Sequence, residues 1–300
     1  MKLGVMLPLI DVGGEPETVR QLAETAERLG YDHLTAADHV LGVNAANRPE
    51  YAHRNNSADL FHDPFVLFAF LAACTTRVEF TTQVLILPQR QTALVAKQAA
   101  CLDVLSKGRF RLGIGVGWNA AEYTALNEDF HNRGKRSVEQ VELMKALWAE
   151  PHVTFRGQWH HVDDAGINPL PRRRAIPLWF GGHEEVTLRR IARWGDGWIM
   201  LAHPPGAAAR AEFDKLRGFA RELGRDPASL GIEIWTSVAE GDGKPAAWRD
   251  EIKAWQGAGV THVTLNNTFG RYHHKRMAET SLAAHLDAMT RYREAVADLL

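Results

Sequence analysis

The sequence predicts an α/β chain closed into a (β/α)8 (TIM) barrel, with residues 1–300 forming one domain. Three observations carry that prediction. Short apolar runs of strand length alternate with segments whose apolar residues recur at helical spacing, the pattern of parallel βα units. Eight such pairs fit in 300 residues, near the ~250 that a barrel of this kind takes as a single domain. Composition is that of a globular chain, 45% apolar and 24% charged with 35 Lys plus Arg against 36 Asp plus Glu, which argues against disorder.

The elements follow in order. Leu3–Leu7 is strand one. Val19, Leu22, Ala23, Ala26 and Leu29 then share a helix face, and Gly30 stands where a helix-ending glycine would. His33–Ala37 is strand two. The Asn-rich stretch Gly42–Asp59 is a long loop inserted after it, and Pro64 opens a helix reaching about Thr75. Val78–Leu87 and Phe110–Val116 are strands three and four, followed by helices over Leu94–Leu105 and Arg136–Ala149. Residues 151–176 break the rhythm before strand five, with β-like pieces at Phe155 and Trp159 and the basic run Pro169–Arg174. Strands five to eight are Leu178–Phe180, Trp198–Leu201, Ile232–Val238 and Val260–Leu265. Their helices cover Val186–Trp194, Ala208–Leu223, Ala246–Gln256 and a last segment carrying Leu282, Leu286, Met289, Val296 and Leu299.

Several classes of function are excluded. A net charge of -1 gives no global pull toward nucleic acid or acidic membranes. Two cysteines, Cys74 and Cys101, make no disulfide framework and fit a reducing cytoplasm. The opening Met1–Pro8 lacks the length and cleavage pattern of a signal peptide, and Pro64–Cys74 has about half the ~20 residues of a membrane span. The expectation is a cytoplasmic protein acting on a small molecule. The segment Phe65–Ala73 is apolar all round, so it needs cover on two sides. The barrel supplies one; a second subunit, giving a homodimer, or the 42–59 loop supplies the other.

In such barrels chemistry sits at the C-terminal strand ends. Strand two ends on Asp38-His39, an acid beside the one side chain that titrates near neutrality; a hydrogen-bonded turn is the plainer alternative. Strand four ends on Gly113-Ile114-Gly115-Val116-Gly117, where glycines let backbone approach a ligand. A dinucleotide fingerprint needs GxGxxG and an acid on the next strand; the spacing here is GxGxG and a helix follows, so that reading is rejected. Strand five ends on Gly181-Gly182-His183 at a helix start, an anion cradle or an ordinary turn. No metal-ligand pattern, strand-end lysine or GxSxG is present. Trp179, Trp194 and Trp198 read as packing, and Arg172-Arg173-Arg174 as solvated surface that could meet an anionic ligand.

Beyond these local signals, the chain resembles the bacterial luciferase-like family of flavin- and F420-dependent oxidoreductases. The likeness runs through Thr82–Leu85, Lys97-Gln98, Leu102–Phe110, Gly113–Trp118, Arg133–Arg136, Pro177–Gly182 and Gly195–Trp198. It implies FMN or coenzyme F420 at the barrel mouth, with Asp38 and His39 near the reactive ring. It also implies a non-proline cis peptide at Gln83-Val84 against that ring, the strand-four turn at Gly115 and Val116 beside it, and the phosphate at Gly181, Gly182 and His183. Trp118 stands where F420-dependent sugar-phosphate dehydrogenases carry a catalytic Glu, which separates this chain from their mechanism. The function expected is hydride transfer between F420 or FMN and a small organic substrate, with monooxygenation if FMN is used, His39 moving the proton and Asp38 orienting it. The alternatives are a flavin-binding protein without turnover, and a metal-free hydrolase or isomerase built on Asp38 and His39.

Overall fold

The computed structural model describes residues 1–52 and 55–300. Eight parallel strands close on themselves: β1 (Lys2–Met6), β2 (His33–Ala36), β3 (Glu79–Thr82), β4 (Phe110–Gly115), β5 (Leu178–Gly181), β6 (Gly197–Ile199), β7 (Gly231–Thr236) and β8 (His262–Leu265). Each pairs with its sequence neighbours, and β8 returns to β1 with Leu3 opposite Val263. The helices α1 (Pro16–Leu29), α2 (Pro64–Cys74), α3 (Thr92–Leu105), α4 (Arg133–Ala149), α5 (Glu185–Trp194), α6 (Ala207–Glu222), α7 (Pro245–Ala258) and α8 (Leu282–Ala295) follow the strands in turn.

Local chemistry sets the helix ends. Gly30 takes the left-handed conformation at φ 85° and its N–H returns to the carbonyls of Ala26 and Glu27, ending α1. Asp63 accepts from the N–H groups of Phe65 and Val66, and Pro64 fills the first helical position of α2. Within α2, Phe65, Leu67, Phe68 and Leu71 are buried, whereas Val66 is 68% exposed.

Two features differ from the sequence expectation, and a third gives form to the β-like pieces expected before strand five. Strand three is not continuous: β3 stops at Thr82, the Gln83-Val84 peptide is cis, and Leu85–Ile86 resumes pairing with β4. A short helix, Ala120–Ala125, capped by the Asn119 side chain, follows β4; six residues are too few to show a period. Between α4 and β5 the chain makes an antiparallel hairpin of Val153–Arg156 and His161–Ala165. The Gly42–Asp59 loop contains one helical turn at Pro49–Tyr51; residues 53 and 54 of that loop lie outside the described residues. No helix among the described residues is long and apolar enough to cross a membrane.

The barrel interior is polar. Glu233 of β7, fully buried, accepts from His33 Nε2 at 3.0 Å and Thr264 Oγ1 at 2.6 Å, and from Gln83 Nε2. Its other oxygen lies 2.7 Å from Nη1 of Arg111. The Arg111 guanidinium sits 4.2 Å from the centre of the Trp179 ring. Trp179 fits because Gly197 and Gly231 face it: a Cβ on either would lie 2.4 or 2.3 Å from the indole. Burial works against the charged form of Glu233, but Arg111 and His33 outweigh it and hold the carboxyl far below the usual range.

Removing one partner of a buried ion pair strands the other's charge. Glu233→Ala is expected to cost about 3–5 kcal/mol of folding stability in urea denaturation. A loss under about 1 kcal/mol would show that the network does not carry the barrel.

Candidate active site at the barrel mouth

The cis peptide divides the roles of two adjacent side chains. Gln83 turns inward, donating to Glu233 and accepting from Trp235 Nε1 at 2.5 Å. Val84 lies half-buried at the mouth. Gly115 and Gly181 stand on either side of it: a Cβ on Gly115 would be 2.6 Å from Val84 Cγ2, and one on Gly181 3.1 Å from Cγ1. These two glycines therefore make room for Val84. The carbonyl of Val116, next along, accepts from the Tyr123 hydroxyl at 2.6 Å.

Asp38 and His39 leave β2 in different directions. Asp38 is 3% exposed; its oxygens accept from Arg90 Nη2 at 2.7 Å and the Ile86 N–H at 2.9 Å. Burial raises the Asp38 carboxyl above its ordinary range, more than Arg90 and Ile86 lower it. Its place is in the wall, pinning the segment after the cis peptide. His39 faces the mouth against Phe61, ring centres 4.7 Å apart, and Trp118 at 6.0 Å.

His39 has a partner that sequence reading missed. Its Nδ1 lies 3.4 Å from Oε1 of Glu122, a residue 1% exposed. Glu122 also accepts from the N–H of Val40 at 2.9 Å and from Gln89 Nε2 at 3.3 Å. Burial pushes its carboxyl up, but the His39 contact, Gln89 and the Leu41 N–H prevail and hold it below its ordinary range. Asn55 Nδ2 sits 3.0 Å from His39 Nε2. An acceptor at one ring nitrogen and a donor at the other assign the tautomer: Nδ1 carries the proton toward Glu122 and Nε2 holds the lone pair. The available signal was position alone, since Glu122 follows β4 at the same end of the barrel as Asp38 and His39.

At the end of β5, Gly182 adopts φ 114°, a left-handed conformation that a side chain would strain, and an added Cβ would lie 3.3 Å from Thr187. Its carbonyl accepts from Trp198 Nε1 at 2.8 Å. Beside it His183 packs against Tyr272, ring centres 5.3 Å apart, and its buried Nδ1 has no hydrogen-bond partner. Glu185, first residue of α5, is tied to Arg189 and Lys215. The Arg172-Arg173-Arg174 run is elsewhere. It precedes β5, its Arg172 N–H bonds Asp103 Oδ2 at 2.8 Å, and its side chain approaches Gly108 ahead of β4. That is the N-terminal end of the strands, away from the mouth, and the three side chains are exposed, as the solvated-surface reading expects. The basic side chains beside His183 are Arg271 and His203. Trp179 and Trp198 are buried packing residues, as expected. Among the described residues no group of three His, Cys, Asp or Glu could hold a metal ion.

The mouth fits a flat cofactor with a phosphate. Val84 presents an apolar bulge, Gly182 a turn without a side chain just ahead of the α5 N-terminus, and His183 an unpaired buried nitrogen. The model of the luciferase-like monooxygenase family matches residues 1–298. An uncharacterized protein of Mycobacterium tuberculosis is 33% identical over 249 residues, 81% of this chain and 83% of that protein. Among solved structures, monooxygenase RslO1 from Streptomyces bottropensis superposes with a TM-score of 0.80 at 19% identity, over 100% of this chain and 99% of that one. An F420-dependent secondary alcohol dehydrogenase in complex with an F420–acetone adduct gives 0.77 at 18%, over 100% and 99%.

Burial, with the nearby His203 and Arg271, lowers the His183 imidazole to about 4. The unfolded chain therefore binds a proton that the folded one refuses between about pH 6.5 and 4. Stability from this group is complete above pH 6.5 and lost as pH falls toward 4. Proton NMR should place the His183 midpoint near 4, and wild type should lose more stability than His183→Gln over that window. A midpoint at 6 or above would contradict the geometry.

Proposed function

We propose, from the premise that this chain belongs to the luciferase-like monooxygenase family and is an oxidoreductase, that it exchanges a hydride between FMN or coenzyme F420 and a small organic substrate at the barrel mouth, with monooxygenation where FMN is used. The His39–Glu122 pair beside the Val84–Gly182 cradle is the observation that carries this reading. The cofactor, when bound, supplies the redox chemistry.

The chain's own residues do the rest. His39 Nε2, once a substrate hydroxyl takes the place of Asn55 Nδ2 at its lone pair, accepts a proton from that hydroxyl, or returns one in the reverse direction. Glu122 holds Nδ1–H, fixing the ring's tautomer and stabilising the charge that forms. Asp38 and Arg90 are positioning residues, since they fix Ile86 and with it the segment carrying Val84. The N–H groups at the start of α5 and the Gly182 turn hold a phosphate, favoured by the helix dipole. A second copy of the chain covering the exposed Val66 side of α2 completes the proposal; the free Cys74 and Cys101 suit a reducing cytoplasm.

Absorbance titration with FMN and with F420 tests the cofactor, and saturable binding of one is expected. Gly182→Val is expected to weaken it at least tenfold, about 1.4 kcal/mol. His39→Ala should keep cofactor affinity within tenfold but lower turnover ~10²–10⁴-fold. Binding of neither cofactor, or turnover within threefold in a folded His39→Ala variant, overturns the reading. Light scattering should give twice the chain mass of 33.5 kDa; a particle of one chain mass removes the second copy.

A further inference from the structure

The mouth carries a run of aromatic rings that the proposed reaction leaves unexplained. Trp235 at the end of β7 lies 6.2 Å from Phe269 with ring planes 22° apart, and Phe269 lies 6.4 Å from Phe61 at 12°. Phe61 meets His39 at 4.7 Å, His39 meets Trp118 at 6.0 Å, and Trp118 meets Tyr51 at 6.1 Å. Six rings, drawn from the segments after β2, β4 and β8 and from β7 itself, thus cross the opening as one wall. Phe61 and Phe269 are only half-buried, so they line the opening and are not part of the core.

The charges near this wall are paired and stand at its back and outer end: Glu122 lies behind His39, Arg90 is tied to Asp38 and Asp63, and Arg48, over the Tyr51 ring at 4.6 Å, is tied to Glu50. At the Trp235 end stand His273 and His274, whose imidazoles burial lowers and so keeps neutral at pH 7. His39 Nε2, in the middle of the run and 3.0 Å from Asn55 Nδ2, is the polar point a ligand oxygen would meet by taking the place of the Asn55 amide. The near-parallel planes of Trp235, Phe269 and Phe61 favour a flat π-system along that half of the wall, because aromatic rings at 4.5–7 Å gain from offset stacking beyond the area they bury; His39 is tilted 59° to Phe61 and 62° to Trp118.

We infer that the substrate of this site is a planar, uncharged aromatic molecule whose ring lies along Phe61 and Phe269 and whose single hydroxyl or carbonyl oxygen meets His39. The inference rests on the oxidoreductase reading above. The cofactor ring is the other source of the same chemistry, so the test must separate the two.

2-Naphthol and decahydro-2-naphthol share a carbon skeleton and a hydroxyl but differ in planarity. Calorimetric titration of the protein, with and without saturating FMN or F420, is expected to show naphthol bound at least tenfold more tightly than its saturated counterpart, about 1.4 kcal/mol. Naphthol affinity should hold or rise when cofactor is present. Phe61→Leu and Phe269→Leu, each checked for an unchanged circular dichroism melt, should each remove most of that preference and leave cofactor affinity unchanged. Equal affinity for the two alcohols overturns the inference, as does naphthol displaced by cofactor or a preference intact in both variants. Binding of neither cofactor would instead defeat the oxidoreductase reading, and the absorbance titration reads that separately.

Discussion

A carboxylate without water holds this barrel in register. Glu233 is reached by groups from β2, β4 and β8 and from the residue after β3, so one charge ties five segments of a closed sheet. An isolated ion in such a place would cost several kcal/mol in desolvation, offset only by a close opposite charge together with hydrogen bonds. Arg111 supplies the opposite charge beside Oε2, and His33, Thr264 and Gln83 supply the hydrogen bonds, all to Oε1. The arrangement also settles the mouth. With the Gln83 side chain held inward, Val84 emerges at the opening, and Gly115 and Gly181 are small because Val84 is there.

Above that layer, acids are placed to serve other residues. Asp38 braces the backbone after the cis peptide, and Glu122 braces His39. The imidazole thereby stands at the mouth with Nδ1 toward Glu122 and Nε2 on the Asn55 amide. The aromatic run then surrounds this polar point with apolar surface, a common design of small-molecule sites.

Much of the barrel was legible because it is written in local periodicity. Eight alternating runs, the Gly30 helix stop and the Pro64 helix start each needed only neighbours in sequence, and each is present. Strand three was read too long, since Val78–Leu87 is rich in β-branched and apolar residues on both sides of Gln83 and nothing in that pattern marks a cis bond there. The resemblance to luciferase-like proteins is what pointed there. Asp38, His39, Gly181 and Gly182 were legible by the strand-end rule, which locates residues but not their directions. The inward turn of Gln83, the wall position of Asp38 and the 82-residue separation between Val40 and Glu122 are tertiary facts. Glu233 was not read either: a lone acid in an apolar strand resembles a solvent-facing position, and only closure of the sheet shows it faces a pole of opposite charge. The Arg172–Arg174 run, read as solvated surface, is exposed, and because it precedes strand five it lies at the end of the barrel away from the mouth.

The meeting of Trp179 with Gly197 and Gly231 has a consequence for how this barrel can diverge. A side chain on either glycine finds the indole 2.4 or 2.3 Å away, so the glycines cannot enlarge first. Shrinking Trp179 first leaves a cavity beneath the Arg111 guanidinium and removes the ring it rests on. Neither single step is open, and the three positions on β5, β6 and β7 form one evolutionary unit. Descendants of this sequence should therefore exchange these residues together or keep them all, while the loops that line the mouth remain free to change one residue at a time.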